Sequence, residues 1–166
     1  VVPPSLSATY AKQHDDCIWD CFCKLLGAEE HVSDNLARSV ASLPASCGGL
    51  GLRSAGRTAQ AAYWSSWVDA LPVLASKFPA LAAQIVNDLA RDDGPRLSCT
   101  REAVQAREAL IANGATEVPS WHEAVAGVEP PQQENPSSDD DPPFDRGWQC
   151  YVSSFCETFF TERVVY

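Results

Sequence analysis

Methionine is missing from all 166 residues, and the first ten, VVPPSLSATY, lack the basic-then-apolar order of a secretory signal. The chain therefore reads as a processed or excised fragment. No apolar run approaches the roughly 18 residues a membrane span needs, so no span is expected and a soluble chain is. No lysine follows the glycines at 48, 49 and 51, which excludes a phosphate-cradling P-loop. Ser54 stands where a dinucleotide fingerprint would need its third glycine, and a proline-ended helical pattern stands where that fingerprint needs a strand. The G-x-S-x-G elbow of a serine hydrolase is absent as well, and no cysteine has a recognised protease context. Nothing in the sequence supports covalent catalysis, and the chain is expected not to be an enzyme.

Positive charge is also in short supply. The formal net charge is -10, which disfavours a duplex nucleic-acid binder because such affinity comes mainly from neutralising phosphates. The acidity is uneven, however. Six acids and one base lie between residues 129 and 147, whereas no acid lies between Asp34 and Asp69, the interval that holds Arg38, Arg53 and Arg57. A locally basic stretch thus sits inside an acidic chain.

What is present is helical periodicity, over a length that suits one domain able to bury about two thirds of its unfolded surface. Cys17, Ile18, Cys21, Phe22, Leu25 and Leu26 fall on one helix face, with Asp15 and Asp16 expected in the first turn and Gly27 at the stop. Ser33 is expected to cap a second helix reaching Leu43, with Leu36, Val40 and Leu43 inward and Pro44 ending it. Gly48, Gly49 and Gly51 form an interhelical corner from which Leu50 and Leu52 are expected to dip into the core.

Ser54 can cap the next helix, which carries Ala55, Ala59, Ala62, Tyr63, Ser66, Trp67 and Ala70 at helical spacing and is expected to bend or break at Pro72. Pro79 suits a first turn before Leu81, Ile85, Val86 and Leu89. Ser98 opens a run with Val104, Leu110 and Ile111 inward and an Asn113-Gly114 exit. Ser120 and Glu123 have capping-box spacing, ahead of a short helix from Trp121.

The stretch VEPPQQENPSSDDDPPFDRG has five prolines and six acids, so it cannot bury enough surface to offset its ordering entropy. The expected organisation is a helical domain over 1–128, an acidic Pro-rich linker over 129–147 and an amphipathic helix over 148–166. In that last segment Trp148, Tyr151, Val152, Phe155, Cys156 and Phe159 make an aromatic stripe that must dock, either on this domain or on another protein.

Three constellations carry candidate chemistry. His14, Cys17 and Cys21 share a helix stripe, but zinc needs a fourth ligand and His31 is a remote one, so a packing stripe is expected and no metal. His122 falls within the capping sequence and is expected to be an exposed helix residue. The acid pairs Asp15-Asp16 and Asp92-Asp93 and the run Asp139 to Asp141 are expected to be capping and solvating charges. The seven cysteines are an odd number and are expected to be free thiols, buried as small hydrophobes. Finally, the helix start at Ser54, with Arg38, Arg53 and Arg57 nearby, is a candidate anion or nucleic-acid contact, set against a purely structural corner.

The string LPASCGGLGLRSAGRTAQAAYWSSWVDALPVL, preceded by KLLG and followed by PSW and RGWQCYVSSFCETFF, resembles the region downstream of the polymerase domain in reverse-transcriptase-like proteins of non-long-terminal-repeat retroelements. Residues 24 to 74 carry most of the likeness. The resemblance implies a helical thumb-like or connector segment that helps hold template and primer. The polymerase motif is missing, since QHDD at 13 to 16 has no aromatic residue, and Cys47 occupies a place where such elements carry an apolar residue.

The expected protein is thus an all-α, irregular bundle of about six helices without a cofactor. Its expected partner is another protein or larger assembly, met through Trp148, Tyr151, Val152, Phe155 and Phe159. Contact with nucleic acid through the arginines stays open against the unfavourable net charge.

Overall fold

In the computed structural model, which describes residues 2–27, 35–131 and 147–165, the chain is all-α. Among the described residues there is no strand. These residues hold seven α-helices in order: α1 (Pro4–Leu25), α2 (Asn35–Ala41), α3 (Ala55–Lys77), α4 (Pro79–Leu89), α5 (Ser98–Ala112), α6 (Trp121–Val125) and α7 (Trp148–Val165), with a 3-10 turn at Ala45–Cys47. Ser33, and residues 132–146 of the acidic stretch, lie outside the described residues.

Helix α3 is the hub, packing against α1, α4, α5, α6 and α7. It begins where the sequence predicts, with the Ser54 hydroxyl accepting from the Arg57 amide. It does not stop at Pro72 but continues to Lys77. An interior proline costs about 3 kcal/mol through its lost hydrogen bond, and burial of Val68 and Leu71 on the preceding turns favours the unbroken helix. Tyr63, Trp64, Ser65, Val68 and Leu71 are all buried, so α3 hides much more of its circumference than one stripe.

The core is a single cluster around Trp64 and Leu110, both 0% exposed. Helix α5 contributes Ala103 and Ala106, whose small side chains allow close approach, and Leu110, while Val104 is partly buried and Ile111 is exposed. Helix α4 starts at Pro79 and contributes Ala82, Val86 and Leu89, leaving Leu81 exposed. Helix α6 has the full Ser120–Glu123 capping box. Helix α7 enters the same cluster through Trp148, Tyr151, Val152 and Cys156.

Three helix beginnings are met by carboxylates from other helices. Asp15 of α1 accepts from the Ser54 hydroxyl (2.6 Å), the Ala55 amide (2.8 Å) and the Gly56 amide (3.2 Å) at the start of α3. Glu102 of α5 accepts from the Ser5 amide (3.0 Å) and hydroxyl (2.7 Å) at the start of α1. Asp88 of α4 accepts from the Arg96 and Leu97 amides and, at 2.6 Å, from the Thr100 hydroxyl where α5 begins. Each satisfies amides that a helix start leaves without a partner.

Helix α1 departs most from its sequence pattern. It starts at Pro4, a proline tolerated in a first turn, so Asp15 and Asp16 lie mid-helix rather than at its beginning. Its buried residue is Ala11, and Asp15, Trp19 and Phe22 are half-buried, whereas Cys17, Ile18, Cys21, Leu25 and Leu26 are exposed. The buried face is turned by about one residue position from the apolar stripe, because Asp15 is drawn onto the α3 start.

The cysteines follow suit. None of the seven is in a disulfide, as expected, but Cys156 alone is buried, while Cys17, Cys21, Cys47 and Cys150 are exposed. The expected burial fails because four of the seven sit on surfaces that no other element covers.

Candidate nucleic-acid interface

The candidate site grows out of the glycine corner. The amides of Leu50 and Leu52 donate to the Ala41 carbonyl and that of Gly51 to the Leu43 carbonyl, folding the loop back on the end of α2. A side chain at Gly49 would lie 2.1 Å from the Leu43 carbonyl oxygen, so only glycine fits there. Gly48 and Gly51 have φ of 80° and 68°, in the left-handed region. Leu43 is buried, Leu50 is exposed rather than tucked into the core, and Leu52 is half-buried. Leu36 and Val40, expected inward on α2, are exposed. The corner's effect is to bring Arg53 and Ser54 beside α1 and α2.

Between α1, α2, the start of α3 and the end of α7 lies an open groove of about 550 Å³. It gathers all four of the sequence-predicted contact residues, Arg38, Arg53, Ser54 and Arg57, although they come from separate parts of the chain. It also has two aromatic rings in its wall, Trp19 from α1 and Phe160 from α7, and one acid, Asp15. Three arginines against one aspartate make this a positive recess in a chain of net charge -10.

The four residues are not equivalent. The α3 start is already occupied, since Asp15 takes the place an incoming anion would have. Burial pushes the Asp15 carboxyl up, but the Ser54 hydroxyl and the Ala55 and Gly56 amides more than reverse this and hold it below its ordinary value. The expected anion contact at Ser54 is therefore corrected to an internal joint. Arg38 donates to Asp16 at 2.7 Å, and Asp16 also receives Lys12 at 2.6 Å. Hydrogen bonds from Lys12 and then Arg38 hold the Asp16 carboxyl below its usual range. The Arg57 guanidinium lies 3.7 Å from the centre of the Phe160 ring, a cation-π stack that fixes it in the groove wall. Arg53 is exposed and makes no ion pair among the described residues.

The aromatic face of α7 is placed differently from the interface expected for it. Trp148 stands edge-on to Trp64 at 5.4 Å and to Tyr151 at 5.7 Å, and its indole N–H donates to the Val128 carbonyl. Tyr151 and Val152 are buried beside it and Phe155 is partly buried, so this stripe closes the chain's own core. The Phe159 side chain lies outside the described residues. A different apolar face is open: Leu6, Tyr10, Cys17, Cys21 and Leu25 run along one side of α1, with Tyr10 71% and Leu25 85% exposed.

Other candidates do not assemble. His14 lies exposed beside Asp15 at 3.4 Å, no group of three or more metal-ligating side chains occurs among the described residues, and His31 lies outside them. No described helix is long and apolar enough to cross a membrane. No protein-family model, curated protein or solved structure matches the chain.

Sequence reasoning missed Trp19 and Phe160, and it expected Asp15 as a capping or solvating charge in the first turn of its own helix rather than at the start of α3. The acid-free interval between Asp34 and Asp69 marks the arginines but not the carboxylate that meets the helix start. For Phe160 the sequence holds no comparable signal, since its pairing with Arg57 depends on how α7 docks.

Proposed function

We propose that this chain is a non-catalytic helical connector that contacts nucleic acid through the groove bearing Arg38, Arg53 and Arg57, in keeping with its resemblance to retroelement reverse-transcriptase-like proteins. One observation carries the reading: an acidic chain concentrates three arginines from two helices and a loop in one concave site. Guanidinium groups suit phosphate recognition because they offer several donors in a fixed plane. Arg53 supplies the exposed charge, while Arg38 and Arg57 are held in the wall.

The test is binding of a fluorescent oligonucleotide to wild type and to Arg53→Glu at two salt concentrations. Arg53 is exposed, so this variant is expected to keep its fold. The expected result is weaker binding with a shallower salt dependence in the variant. Equal affinity and equal salt dependence would sink the reading.

A second reading, protein docking, is favoured by the open stripe on α1. Leu6, Tyr10, His14, Cys17, Cys21 and Leu25 are separated by four, four, three, four and four positions, the same intervals from either end. A second copy running antiparallel would therefore meet this stripe in matching register, as a two-fold interface requires. Sedimentation of wild type and a Tyr10→Ser, Leu25→Ser double variant tests it. Association lost in the variant supports the second reading, and a wild type that stays monomeric removes it.

A further inference from the structure

Building on the nucleic-acid reading, we infer that the groove takes a single strand, with a base stacked on Trp19 and the sugar-phosphate backbone following Arg53. Trp19 is half-buried and lines the groove, while Phe22, which does not line it, stands against the indole at 5.6 Å with a tilt of 35°. The indole is thus supported from within its own helix and offers a fixed platform at the groove. The groove's other ring, Phe160 of α7, is already covered by Arg57. That leaves Trp19 as the ring for a base and Arg53 as the cation for a phosphate. A recess combining cations with an aromatic platform is the usual means of holding single strands, because every base has a stacking face.

The charge outside the groove points the same way. Outside the groove α1 carries Asp16, already held by Lys12 and Arg38, and Asp20 one turn further along, in a chain with a large negative excess. A stiff duplex resting across such a surface would bring many phosphates near carboxylates while reaching few arginines. A flexible strand can bend into the recess and bring a phosphate to Arg53. Because Asp15 fills the α3 start, the phosphate contact falls to a guanidinium rather than to backbone amides.

The experiment titrates wild type with labelled oligothymidylate, oligouridylate, a mixed-sequence duplex of equal length, and an abasic strand carrying sugar and phosphate alone. The expected result is that a single strand binds about tenfold tighter than the duplex and about tenfold tighter than the abasic strand, the scale of one stacked base. The tighter of the two homopolymers identifies the strand as DNA or RNA. Trp19→Leu is expected to lose that tenfold, and Trp19→Phe to recover most of it. The abasic comparison needs no variant, so it decides the matter even if Trp19→Leu fails to fold. Duplex bound as tightly as single strand, or abasic strand as tightly as oligothymidylate, overturns the single-strand inference and leaves the connector reading standing. No binding to any of the four, with Arg53→Glu indistinguishable from wild type, overturns both.

Discussion

Helices α1 and α7 are both amphipathic by sequence and both pack on α3, yet the structure attaches them by different means. α7 is held by apolar burial: Trp148, Tyr151, Val152 and Cys156 disappear into the cluster around Trp64. α1 is held by polar joints, Asp15 on the α3 start, Asp16 to Arg38, and Glu102 on its own first turn. Its apolar stripe stays open to solvent. The lesson is that an apolar stripe does not determine which face a helix buries when a carboxylate on the neighbouring face can satisfy a helix beginning.

Substitutions separate the two modes. The largest effect is expected for Trp148→Ala, which removes an indole packed edge-on between Trp64 and Tyr151 and frees the Val128 carbonyl. Truncating a buried aromatic costs about 3–5 kcal/mol, and a lowered midpoint in urea denaturation measures it. A stability unchanged from wild type would show that α7 is not part of the core.

An intermediate effect is expected for Asp15→Ala, about 1 kcal/mol, the usual worth of a helix cap. Amide exchange should show it as faster opening of Ala55 and Gly56 with little change at Trp64. Acid should reproduce this in wild type. The Asp15 and Asp16 carboxyls titrate lower in the fold than in the unfolded chain, so their stabilisation is complete above the ordinary carboxylate pKa. It is lost as pH falls below about 4, through the depressed folded values. Protection at the α3 start should vanish before protection around Trp64, and simultaneous loss would contradict two separate modes. Asp88 is also depressed, chiefly by the Thr100 hydroxyl, so the start of α5 should loosen over the same range.

The smallest effect is expected for Leu25→Ser on the open α1 stripe, within about 0.5 kcal/mol. A loss of 2 kcal/mol or more would mean that this face is covered in solution.

Much of the scaffold was legible because caps and breaks are local chemistry. Ser54, Pro79, the Ser120–Glu123 box and the Asn113-Gly114 exit each fall where their residue types predict. The continuation through Pro72 was not legible, since it depends on the burial of Val68 and Leu71 by distant helices. For the site, the arginines and Ser54 could be read from a gap in the acids. The carboxylate that occupies the helix start could not, because Asp15 is 39 positions from Ser54. Nor could the fate of the α7 aromatics, for a stripe that must dock does not say on what.

The carboxylates at the beginnings of α1, α3 and α5 have a mechanical consequence. Apolar attraction is non-directional and does not by itself specify how far one helix is advanced along another. A carboxylate gripping the end of another helix has a fixed reach, so it sets how far one rod is advanced along its neighbour. Linked from α4 to α5, from α5 to α1 and from α1 to α3, these contacts act as a row of end stops. They set how far α1, which carries Trp19, is advanced along α3, whose start directly follows the loop that carries Arg53.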